Sequence, residues 1–227
     1  MLRSQEGHKI GYGDFIQTVR GEQVKLHLVF HFDDGSVDDE TTVFTQHGSF
    51  QLVTNHHVQK GPSFPHPIEL SIDAHSGQVT VRSTDKEGKE EVKTEHMDLP
   101  PDLANGMTLS LLKNLPVGGG ETKVSMLAAT PKLRTVRLAI TPLLEDSFTL
   151  AGSSRKATHF EGKIELGGVA GVVAPLIGKE LPKVQVWILG GEAPTFVREE
   201  GPFFEDGPIW RVELTSPVWS HAGEEGK

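Results

Sequence analysis

VKLHLVFHF, Val24–Phe32, puts Leu26, Leu28, Phe30 and Phe32 on one side of an extended chain and Lys25, His27, Val29 and His31 on the other. That period of two is the mark of a strand with one face in a core and one in water. Asp34-Gly35 follows at once and supplies the residues of a tight hairpin turn. Thr41–Thr45 and Phe50–Thr54 continue in β-branched and aromatic residues, which favour a pleated surface. The fold class that grows outward from this nucleus is mainly β.

Beyond it, Lys60–Pro67 (KGPSFPHP) is irregular, because its three prolines cannot donate to a central sheet ladder. Ile68–Asp73 and Gln78–Ser83 read as a hairpin across His75-Ser76-Gly77, and Glu90–His96 as a further strand after a turn at Asp85–Gly88. Asp98–Leu115 is the one helical pattern: Asp98 suits an N-cap, Pro100 and Pro101 the first turn, and Leu103, Met107 and Leu111 share a face. Gly106 costs about 1 kcal/mol inside such a helix relative to Ala, so packing must sustain it. Strand patterns then return at Lys123–Ala128, Leu133–Pro142, Ser147–Leu150, Ala157–Leu166, Val184–Leu189, Thr195–Arg198 and Ile209–Leu214. The expectation is one domain over 1–227 with ragged ends at about 1–12 and 218–227. Its architecture is a large antiparallel curved sheet, or half-open barrel, with one packed helix at about 98–115.

Composition narrows the partners. With 22 Lys and Arg against 31 Asp and Glu the net charge is −9, the wrong sign for a phosphate backbone or an anionic membrane surface. There is no cysteine, hence no disulfide, thiolate metal site or cysteine nucleophile. The most apolar stretch, Leu166–Gly178 (LGGVAGVVAPLIG), is too short to span a bilayer and is broken by glycines and Pro175. Residues 1–20 contain no apolar run fit for the core of a secretion signal. That leaves a cytoplasmic protein or an exported, periplasmic chain whose signal has been removed, and the polar start after Met1 favours the second.

Val186-Trp187-Ile188, Ala193–Arg198 (APTFVR) and Pro208–Leu214 (PIWRVEL) together resemble the C-terminal strands of an uncharacterised bacterial family similar to lipoprotein-localisation-factor-like domains. The resemblance covers roughly Leu99–Pro217 and departs from the family at Leu166–Gly178 and at the acidic N-terminal hairpin. It implies a half-open antiparallel barrel curled around a helix, a place in the cell envelope, and an apolar cavity. A fold alone does not license a function.

Enzyme signatures are missing: no Gly-x-Ser-x-Gly elbow and no His-Glu-x-x-His occurs. No motif calls for a cofactor. Of the eleven histidines, His27 and His31 share a strand face but stand roughly 13 Å apart, too far to chelate one ion. His56 and His57 are adjacent, so in a strand only one of them can face a given site. Asp33, Asp34 and Asp38, with Asp39 and Glu40, crowd one hairpin; they are an alternative calcium set, or a solvated tip that discourages edge pairing.

Asn55–Pro67 (NHHVQKGPSFPHP) offers His56, His57, Gln59, Lys60 and Phe64 as ligand-binding candidates on a proline-stiffened loop. The plainer alternative is a rigid crossover with Phe64 plugging the core. Val169, Val172, Val173, Leu176 and Ile177 are candidates for a cover over an apolar cavity, or for core strand. Trp187, Trp210 and Trp219 suit core and edge packing.

The functional expectation is a non-catalytic binding protein of the envelope, holding a lipid or other apolar molecule on the concave face of the sheet. A structural module that recruits an envelope protein is the alternative. A metal-assisted hydrolase using His56 or His57 with nearby carboxylates comes third.

Overall fold

The computed structural model describes residues 1–84, 88–116, 118–128, 130, 133–150, 153–165 and 183–215. Two meanders make up one antiparallel sheet. The first runs through β1 (Leu2–Ser4), β2 (Lys9–Arg20), β3 (Gln23–Phe32), β4 (Val37–His47), β5 (Ser49–Lys60), β6 (Ile68–Asp73), β7 (Gln78–Thr84) and β8 (Glu90–His96). After a linker, the second runs through β9 (Thr122–Leu127), β10 (Thr135–Leu150), β11 (Ser153–Glu165), β12 (Val184–Leu189), β13 (Thr195–Gly201) and β14 (Trp210–Glu213). Their first and last strands pair, Leu2 opposite Val212 and Ser4 opposite Trp210, so the sheet has 14 strands with β8 and β9 as its two edges. It is not closed into a barrel.

The expected hairpins form where the turn chemistry placed them. Phe32 N–H donates to the Ser36 carbonyl, Asp34 Oδ1 accepts from Ser36 N–H, and Gly35 sits at φ +87°, where a side chain would be strained. Chain ends expected to be ragged are strands at the N-terminus: Leu2 is wholly buried, because β1 is the seam between the two meanders. The Ser147–Leu150 and Leu133–Pro142 patterns are one strand, β10, with its register shifted between Pro142 and Glu145.

The helix is shorter than the periodicity predicts. Only Thr108–Leu112 (α1) is helical. Before it, the chain passes along the edge of β9 in two turns with a single bridge between them. Ser125 N–H donates to the Asp102 carbonyl, Ala104 N–H to the Ser125 carbonyl, and Asn105 bonds both backbone groups of Leu127 through its amide. Leu103 bridges Ser125 in parallel. These bonds satisfy an edge that would otherwise expose its ladder groups, and Gly106 at φ +67° then turns the chain into α1. Leu103 and Met107 are buried as expected, from a bridge and a turn rather than from one helical face.

This linker is what the sheet curls around. Leu103, Ala104, Met107 and Leu112 pack in one cluster with Leu26, Phe44, Leu70 and Val81 of the first meander and Leu127, Ile140, Phe160 and Ile188 of the second. Each such side chain contributes roughly 1.5–3 kcal/mol on burial. At the seam a second cluster gathers Leu2, Phe30, Phe32, Phe64 and Trp210, with Phe32 and Trp210 ring centroids 4.8 Å apart. The concave face is therefore filled at one end by the linker and at the other by aromatics. Between them it stays open.

Candidate functional site

β4 and β5 build the polar floor of that opening. Their register sets Asp38 opposite Gln59, Glu40 opposite His57 and Thr42 opposite Asn55, so six polar residues share one inward face. A β-bulge makes this possible. Val43 pairs with Thr54 and Phe44 with Leu52, leaving Val53 as an extra residue on β5. Strict alternation from Leu52 would turn Thr54 and His56 inward; the bulge turns Asn55, His57 and Gln59 inward instead. Exposure follows: Asn55 is 1% and Gln59 4% exposed, while His56 and Lys60 face solvent.

The floor is internally bonded. His57 Nε2 lies 2.9 Å from Asp38 Oδ1, and Gln59 Nε2 donates to Asp38 Oδ2 at 2.7 Å and to the Phe203 carbonyl at 2.9 Å. Asn55 Nδ2 donates to Glu40 Oε1 and to Thr42 Oγ1, both at 2.9 Å. Gly106 of the linker lies over this group: a Cβ there would stand 1.8 Å from Thr42 Oγ1.

Glu199 of β13 faces the same space. A second bulge brings it there, since Trp187 pairs with Arg198 and Ile188 with Phe196, which leaves Val197 unopposed. Val197 packs outward with Trp187 and Leu189, and Glu199 then pairs with Val186 on the inward face. The walls above are apolar: Leu26 and Leu28 of β3, Leu138 and Ile140 of β10, Phe160 of β11 and Val186 of β12. The half-open cavity measures about 430 Å³, inside the roughly 300–1,000 Å³ typical of small-molecule sites.

Two groups on the floor titrate far from their ordinary values. Burial works to lower the His57 pKa, but the hydrogen bond and charge of Asp38, helped by Glu40 and Asp39, outweigh it and hold the imidazole at about 9. Burial raises the Glu199 carboxyl to about 7, with the charges of Asp38 and Glu40 adding to the rise. His57 is thus an imidazolium at neutral pH, its charge matched by Asp38. Glu199 and Glu40 have no cationic side chain within ion-pairing distance among the described residues.

The sequence candidates separate on this geometry. His57 and Gln59 line the cavity. His56 lies on the opposite face of β5, 3.0 Å from Glu69, and Lys60 is exposed. Phe64 is 2% exposed within the seam cluster. The irregular loop is confined to Gly61–Pro67, since Asn55–Lys60 belong to β5. Val169, Val172, Val173, Leu176 and Ile177 lie outside the described residues, as does Trp219.

Asp33, Asp34 and Asp38 are held in separate arrangements. Asp33 faces Lys9 at 3.7 Å, Asp34 accepts from Ser36 and Ser63, and Asp38 is in the cavity. No group of three or more His, Asp or Glu among the described residues is arranged to hold a metal ion. Sequence reasoning took Glu40 only as part of the acidic hairpin and did not single out Asn55 or Glu199. The available signal was a polar residue inside an otherwise β-forming run, and the bulges that aim these side chains leave no pattern of their own.

No family model, curated protein or solved structure matches this chain.

Proposed function

We propose that this chain is a non-catalytic binding protein that houses the apolar body of a small molecule in the cavity between its two meanders. The observation that carries the reading is the cavity itself: about 430 Å³, apolar on its walls, with a small set of polar groups gathered on one side. That combination suits holding and orienting a ligand. The state of His57 argues against the hydrolase alternative. An imidazole kept protonated by Asp38 to about pH 9 has no lone pair with which to accept a proton at neutral pH.

Gly162 of β11 provides the test. It lines the cavity, and a Cβ there would stand 3.4 Å from Leu138 Cδ1, an ordinary contact. Gly162→Ala therefore folds and binds, whereas Gly162→Phe projects a ring into the space. Titrating a neutral apolar fluorophore should give saturable, stoichiometric binding to the wild type and the alanine variant, and at least a tenfold loss in the phenylalanine variant. Equal binding by all three would place the fluorophore elsewhere and overturn the reading.

A further inference from the structure

The polar floor is more specific than an apolar cavity requires. Once the Asp38–His57 pair is cancelled, two carboxylates remain, Glu40 and Glu199, and they face the same space without a cation against either. Arg134 also lines the cavity, but from its rim, half in solvent and 3.8 Å from Glu205. Buried carboxylates without a counter-charge are costly, and proteins keep few of them.

Asn55 is 1% exposed, and its Oδ1 is buried with no hydrogen-bond donor among the described residues. Its Nδ2 is held by Glu40 and Thr42, which line the cavity, while Asn55 lies behind them and ties the two side chains in place. Rotating the amide would set its oxygen against the Glu40 carboxylate, so the orientation is fixed and Oδ1 stays an unfilled acceptor. The amide nitrogens of both Asn55 and Gln59 are already committed to Asp38, Glu40, Thr42 and the Phe203 carbonyl. The imidazolium of His57 is matched by Asp38, so what the floor lacks is a positive charge for Glu40 and Glu199.

We propose that the cavity takes a ligand with a primary ammonium head on an apolar tail, the ammonium donating to Glu199 and Glu40 while the tail lies against the β10–β12 wall. This rests on the binding reading above and names the ligand's chemistry. An ammonium carries one positive charge, three donors and no acceptor, the complement of two carboxylates that face one space. A carboxylate or phosphate head would meet like charge. A neutral alcohol could donate once but would leave both charges unpaired. The raised pKa of Glu199 agrees, since its ionised form lacks the partner that such a head would supply.

The experiment is calorimetric titration of the full chain at pH 8 with decylamine, decanol and decanoate, each below its aggregation limit. Decylamine should bind at least tenfold more tightly than decanol, and decanoate more weakly than either. In Glu199→Gln, with the fold checked by circular dichroism, decylamine should fall to the level of decanol while decanol is unchanged; Glu40→Gln should give the same loss of preference. Should decanol bind but decylamine show no advantage, or should Glu199→Gln and Glu40→Gln both keep that advantage, the head-group inference fails and the cavity reading survives. If none of the three binds folded protein, the cavity reading falls and takes the inference with it.

Discussion

Replacing His57 by Gln should flatten the alkaline limb of the stability curve. The imidazole titrates at 6.5 in an unfolded chain and at about 9 in the folded one. Because the folded value is the higher, the folded state binds this proton more tightly. The resulting stability is complete below pH 6.5 and is lost as pH rises through about 9. A shift of roughly 2.5 units at 1.36 kcal/mol each gives about 3 kcal/mol. Solvent trims this only a little, since the His57 and Asp38 side chains are 18% and 9% exposed.

The assay is urea unfolding of wild type and His57→Gln at pH 6.5 and pH 9.5. The quantity to compare is the change in each protein between the two pH values, which cancels groups common to both, such as the N-terminal amine. Wild type should lose about 3 kcal/mol more than the variant over this interval. If the two lose equally, the Asp38–His57 pair does not hold a proton in the folded state, and the electrostatic account of the floor is wrong.

Other consequences follow from the same region. Glu199 has its folded pKa raised from 4.5 to about 7, so the stability its proton carries is present below pH 4.5 and is lost as pH rises from there through about 7. Glu199→Gln should stabilise by about 1–2 kcal/mol at pH 8, the full shift being discounted for water in the cavity, and should change nothing at pH 4.5; urea midpoints at both pH values decide it. Gly106→Ala should cost about 2–3 kcal/mol, because φ is +67° and the new methyl would collide with Thr42 Oγ1. Gly35→Ala, at φ +87° with open space around it, should cost about 1 kcal/mol from backbone strain alone. Equal losses in thermal melts of the two would show that close packing over the floor is not what Gly106 serves.

The strands were legible because their information is local. VKLHLVFHF alternates cleanly, and Ile68–Asp73, Glu90–His96 and Val184–Leu189 coincide with β6, β8 and β12. The helix was misjudged because Leu103, Met107 and Leu111 repeat at helical spacing, while the decisive interaction is long-range. Asn105 and Asp102 find partners on Leu127 and Ser125, and these bonds tie Asp102–Asn105 to the edge of β9 instead of letting it coil into a helix. The pairing of β1 with β14 is equally invisible to a reading along the chain, since it joins residues some two hundred positions apart.

The cavity escaped for a subtler reason. Alternation assigns a face to each residue only while the register is unbroken. Val53 and Val197 each add one residue, and each reverses the faces that follow. His57 rather than His56 points inward for that reason, and so does Glu199 after two residues, Val197 and Arg198, that lie on the outer face. Both bulges decide which polar side chains face inward: Asn55, His57 and Gln59 instead of Thr54, His56 and Lys60, and Glu199 instead of Arg198 and Glu200. Glu199, once ionised, weakens the fold it sits in. Elsewhere on the concave face, apolar side chains fill the inward positions of β6 and β7. A sheet that follows its own rules along one stretch breaks them twice around one cavity, and the two breaks aim His57, Gln59 and Glu199 at the same space.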